Sequence, residues 1–230
     1  MEIDKPKKSS LLAIIAQTAS LWILADIGYY LFLPVFGHNI GYNNTPITIT
    51  IYYLIWTLIA VFAFKDDLND HKIIDNKYKA FSILLTGTII TVLYIAYVMP
   101  LLKAITWTTS LMPPSEILYA TSWYFLPKSI EIFLQQILLL TLVTSFIDNN
   151  YSLKTTSFWC AGLFGGAHLL LAIGGGGFIY ALVFTIVAIV SSFIFPYLLL
   201  KVKNGFIYSY FLHWSFYAVV VILTRLVFKV

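Results

Sequence analysis

The chain alternates long apolar runs with short polar connections. A helix of about 20 apolar residues crosses a bilayer, and seven stretches are long enough to do so: residues 11–36, 46–64, 80–102, 129–147, 155–173, 178–200 and 205–228. The segment 104–127 is harder to place. Pro113 and Pro114 break it and Glu116 follows them, so it is either an interfacial or re-entrant piece or a distorted eighth span. The pattern predicts an all-α, polytopic transmembrane bundle of seven or eight spans, forming one domain over residues 1–230.

Composition agrees. Hydrophobic residues make up 60% of the 230 and charged residues 10%, with mean hydropathy +0.87, against about 25% charged in soluble domains. The expected location is therefore integral to a membrane. The net charge of +4 says little about nucleic acid, and none is expected as a partner, because the basic residues cluster between apolar runs as they do when orienting spans. The first ten residues look like a signal-peptide n-region, but the apolar stretch behind them is too long for an h-region and lacks a small-x-small cleavage site, so it reads as a retained first span. A single cysteine, Cys160, excludes an internal disulfide and a cysteine-based metal cluster.

Charge orients the first half. Lys5, Lys7 and Lys8 precede the first span and Lys65, Lys72, Lys77 and Lys79 follow the second, while residues 38–45 between those spans have no Lys or Arg. The N-terminus is thus expected in the cytoplasm. The second half gives a tie. Seven spans put Lys154, Lys201 and Lys203 inside and Lys103, Lys128, Arg225 and Lys229 outside; eight put Lys128, Arg225 and Lys229 inside and the other four outside.

Residues 65–79 mix four lysines with four aspartates and read as a solvated loop, in which His71 could join Asp67 or Asp75 on a metal. The four glycines at 174–177 follow a span and most simply end a helix.

Ionisable groups inside a membrane are costly and so mark function. Four of note fall within the predicted spans: Asp26, Glu131, His168 and His213. Asp26 reads as a helix-pairing residue. Glu131 shares a helix face with Gln135, and Gln136 lies about 100° further round. His168 shares a face with Phe164, and the Gly162–Gly166 pair would let another helix approach it, with Glu131 expected on that neighbour. Tyr217 lies one turn from His213. A glutamate and two histidines on three late spans suggest convergence. A carboxylate and an imidazole could activate water for attack on a carbonyl, while the second histidine with Tyr217 stabilised the oxyanion. The same Glu131, His168 and His213 could instead hold a zinc with an open fourth position; the residues leave zinc or no cofactor open.

At these positions the chain resembles the CPBP family of intramembrane proteases, which includes the CAAX prenyl endopeptidases and the bacterial Abi-type bacteriocin-immunity proteins. The family pattern is Glu-Glu-x-x-x-Arg opening one span, Phe-x-x-x-His in the next and His-x-x-x-Asn or similar in the last. Here the first reads Glu131, Ile132, Gln136; the second is intact as Phe164 and His168; the third reads His213 and Tyr217. The likeness covers roughly residues 125–230. It implies that Glu131 and His168 activate water, that His213 and Tyr217 stabilise the oxyanion, that the substrate is a membrane-embedded or lipidated peptide, and that the setting is a prokaryotic plasma membrane. Ile132 and Gln136 stand where the family has a glutamate and an arginine, a joint loss that leaves no buried charge unpaired. A fold that persists as a non-catalytic module binding a partner protein or peptide is the alternative. A transporter reading lacks its sign, paired interrupted helices in two related halves.

Overall fold

The computed structural model describes residues 10–37, 40–71, 76–103, 116–169, 172 and 178–227. Every element among them is helical. Six helices are long and apolar enough to cross a membrane. These are α1 (Leu11–Phe36), α2 (Pro46–Ala63), α4 (Lys77–Leu101), α5 (Phe125–Asp148), α7 (Phe178–Lys201) and α8 (Gly205–Val227). Two shorter helices complete the set, α3 (Lys65–Asp70) and α6 (Leu153–Cys160), the latter continuing as a π-helical turn over Ala161–Gly165.

Several boundaries differ from those the hydropathy predicts. Residues 65–70 are helical rather than loop, with Asp66 and Asp67 in the first turn, where carboxylates favour the helix dipole. The fifth helix starts at Phe125, a turn before Ser129, because Pro127 is tolerated near a helix start. The fifth predicted stretch, 155–173, is helical over α6 and its π turn before the chain tightens, and its described residues fall short of spanning length. Before α5 begins at Phe125, the described helical parts of 104–127 are two short 3-10 turns, Glu116–Tyr119 and Ser122–Tyr124. The glycines at 174–177 lie outside the described residues.

Burial identifies the axis. In α5, 83% of the spanning window is buried, against 6% to 39% in the other five long helices. Those five turn large apolar side chains outward, among them Phe36, Phe62, Ile90, Val190 and Leu223. A lipid solvent explains this: outward Leu, Ile and Phe gain nothing by being hidden from acyl chains. Helices α1, α2, α6, α7 and α8 pack around α5. Helix α4 reaches the bundle through α8, where Gly87 admits the Phe211 ring and the Tyr94 hydroxyl donates to the Ala218 carbonyl at 3.1 Å.

Polar ties fix the two ends. At one end His71 lies 3.2 Å from Asp148, and the Asn76 amide donates to the Asn204 side chain at 3.4 Å. At the other, Asn43 accepts from the Thr121 amide at 2.7 Å and donates to Glu116, which also accepts from the Tyr29 hydroxyl at 2.6 Å. There Arg225 of α8 donates to the carbonyls of Met99 at 3.3 Å, Leu102 at 2.9 Å and Ala120. One buried guanidinium therefore joins the end of α4 to the residues just before α5.

Candidate active site

Glu131 sits on the buried face of α5. Starting that helix at Phe125 puts Lys128 one turn before it, and the two form a buried ion pair. The carboxylate also accepts from the Tyr42 hydroxyl at 2.5 Å and from the Gln135 amide at 3.1 Å. Tyr42 has one hydroxyl hydrogen, given to Glu131, so Tyr53, 2.8 Å away, donates to Tyr42. Burial, then the charge of Glu131, push the Tyr42 phenol well above its usual range and keep it a donor. The Lys128 ammonium lies 4.6 Å from the ring centres of Tyr42 and Tyr217 and 5.6 Å from that of Tyr124. Aromatic faces thus replace part of the water it gives up.

Gln136, fully buried, turns to the other side of α5. Its amide oxygen accepts from the Ser209 hydroxyl at 2.7 Å, which leaves the amide nitrogen to donate to His213 Nδ1 at 3.1 Å. An accepting Nδ1 places the ring hydrogen on Nε2, so His213 presents an N–H. The Tyr217 ring stacks on the imidazole, centroids 5.6 Å apart.

His168 is set by a change of helical register. After the π turn the ladder tightens: the His168 amide bonds to Gly165 and the Leu169 amide to Gly166, each three residues back. The Phe164 carbonyl is instead bound by His168 Nδ1 at 2.8 Å. A carbonyl only accepts, so Nδ1 carries the hydrogen and Nε2 keeps a lone pair. The Phe164 ring, 4.9 Å from His168 and 6.0 Å from His213, lies between them, and Trp22 of α1 approaches both Phe164, at 5.0 Å, and His168, at 6.2 Å.

The two imidazoles are therefore complementary, one basic and one donating. Both line a cavity of about 340 Å³ between the end of α6, α7 and α8, together with Tyr217, Phe184 and Phe195. Glu131 does not line it. No hydrogen bond joins Glu131 to either histidine among the described residues, although its charge acts on His168. The expected convergence thus divides: His168, His213 and Tyr217 share a cavity, and Glu131 stands behind it with Lys128. No three His, Cys, Asp or Glu side chains among the described residues are grouped to hold a metal ion, so the zinc arrangement of Glu131, His168 and His213 is not formed. Asp26 lies near the Trp22 side chain and within electrostatic reach of Glu131 and Lys128. His71 pairs with Asp148 rather than Asp67, and Asp75 lies outside the described residues.

The glycines do other work than expected. Among the described residues, a side chain at Gly162 or Gly166 would meet nothing within 4 Å, whereas one at Gly165 would meet Ile189 of α7 at 2.5 Å. The close approach runs through Gly165, and among the described residues the Trp22 ring of α1 approaches His168, to which Glu131 makes no hydrogen bond. Lys128, Tyr42 and Tyr53 escaped the sequence reading. The spacing of Lys128 to Glu131 was the available signal, since three residues on a helix bring side chains together.

Compared with known proteins, the chain matches no family, no curated protein and no solved structure.

Proposed function

We propose that the chain is an intramembrane hydrolase of the CPBP protease type, cleaving a membrane-embedded or lipidated peptide in the cavity between α7 and α8. The observation that carries this reading is the pair of imidazoles in opposite tautomers on one cavity. In the proposed step a water gives a proton to His168 Nε2 as its oxygen attacks the peptide carbonyl. The oxyanion accepts from His213 Nε2–H and the Tyr217 hydroxyl. The tetrahedral intermediate then collapses, the C–N bond breaks, and His168 returns the proton to the leaving amine. Glu131 acts by charge, stabilising the transient imidazolium, while Lys128 balances it in the resting state.

The test is cleavage of a fluorogenic peptide library in vesicles. His168→Ala is expected to lower turnover about 10²- to 10⁴-fold with folding retained. Unchanged turnover in that variant would reject His168 as the base. A second reading, a binding module without catalysis, draws on the Glu131 carboxylate being fully engaged by Lys128, Tyr42 and Gln135. It predicts a stable peptide complex indifferent to His168→Ala.

The proposed topology has seven crossings with the N-terminus in the cytoplasm. Supporting it, α5 and α7 end at the same side, so α6 and the residues after it carry the chain back into the membrane. Arg225 holds residues 102 and 120 together, which favours an excursion over an eighth crossing. Lys128 and Arg225 are buried and bound, so neither counts as a loop charge. Of the other twelve Lys, ten fall at the N-terminal side, with only Lys103 and Lys229 opposite. That imbalance supports the proposed orientation.

A further inference from the structure

The histidine cavity owes its space to the middle of α7. Along the face of α7 that lines it, Phe184 and Phe195 stand at the two ends, with the small residues Ala188 and Ser191 between them. Ile194, Leu212 and Val219 line the cavity and are also exposed on the outside of the bundle, so it opens sideways between α7 and α8 into the bilayer. Among the described residues no Asp, Glu, Lys or Arg lines it.

Ser191 is the polar group in this cavity that the hydrolytic step leaves unused. Ser192 beside it donates to the Ala188 carbonyl at 2.7 Å, and Ser215 of α8 donates to the Phe211 carbonyl at 2.7 Å, each one turn back on its own helix. Ser191 makes no such bond, and its hydroxyl has no hydrogen-bond partner among the described residues. An unbonded hydroxyl in hydrocarbon is costly, and a lipid tail, which neither donates nor accepts, would leave it unbonded.

We propose that the cavity takes an extended, uncharged peptide segment and that Ser191 is a specificity residue, its hydroxyl accepting from a backbone N–H of that segment. An extended backbone carries free N–H groups at bilayer depth, whereas a helix has already bonded them internally. The apolar walls suit aliphatic side chains and reject a charged one. Only the cutting of the bound segment rests on the hydrolase reading above.

The experiment measures binding to the full chain in neutral nanodiscs by fluorescence anisotropy. The probe is a hexapeptide of alternating Ala and Val carrying an uncharged dye. It is compared with a depsipeptide of the same side chains, in which oxygen replaces each backbone N–H, with a Lys-centred hexapeptide and with a labelled dodecyl chain. Ser191→Ala is expected to weaken peptide binding about 3- to 10-fold, to leave depsipeptide binding unchanged, and to differ from Ser192→Ala, which should alter neither. The central Lys should weaken binding about 10²-fold. No peptide binding, no loss in Ser191→Ala, equal losses for peptide and depsipeptide, or an equal loss in Ser192→Ala would overturn the proposal. So would dodecyl binding as tight as the peptide's, which would give the cavity to lipid tails. If the probes bind as expected while the fluorogenic library stays uncut, the hydrolase reading fails and the peptide site stands. If cleavage occurs while Ser191→Ala binds normally, the present proposal fails alone.

Discussion

At the scale of the residue, the decisive group is one that the linear sequence disguises. Lys128 stands just outside the predicted span, among apparent loop charges, yet the helix begins early enough to bury it against Glu131. Breaking a buried ion pair leaves an uncompensated charge and costs about 3–5 kcal/mol. Lys128→Met and Glu131→Gln are each expected to lower thermal stability in detergent by that order, and the double variant to recover most of it. Additive losses in that cycle would show that the two do not act as a pair. Tyr42→Phe removes one charge-assisted donor and should cost about 1.5–3 kcal/mol on the same scale. Glu131, His168, His213 and Tyr217 were legible because ionisable and hydroxylic groups are conspicuous in an apolar chain. Their division between a cavity and a charge cluster was not, since it depends on which way each side of α5 faces.

At the scale of the element, register decides where the His168 imidazole points. A π turn over Ala161–Gly165 is followed by bonds spanning three residues, and the switch hands the Phe164 carbonyl to His168. The sequence showed a small-residue stretch but not which glycine the neighbouring helix uses, because a widened turn rotates the following residues away from regular periodicity. Gly165→Ala is expected to destabilise by about 1–3 kcal/mol through its clash with Ile189. Gly162→Ala and Gly166→Ala should be neutral or stabilising by up to about 1 kcal/mol, as alanine favours helix over glycine. Chemical unfolding of the three variants distinguishes the positions, and equal losses at all three would reject the assignment.

At the scale of the whole molecule, hydropathy alone supplied the helical class and most of the long helices. It missed the axial role of α5, whose composition resembles that of its lipid-facing neighbours, because apolar side chains read alike whether they meet acyl chains or protein. The orientation is open to direct measurement. In a Cys160→Ser background, cysteines at Lys77 and Lys154 should react with a membrane-impermeant maleimide only after cells are opened, and one at Thr121 in intact cells. The reverse pattern would invert the topology. Arg225 adds a constraint on synthesis. Its three carbonyl partners lie far upstream, at Met99, Leu102 and Ala120, so they leave the ribosome long before the guanidinium that binds them. Through that interval the end of α4 and the start of α5 stay unclasped. A helix made later thus locks two made earlier, and the junction of α4 and α5 is clasped only once α8 has been made and packed.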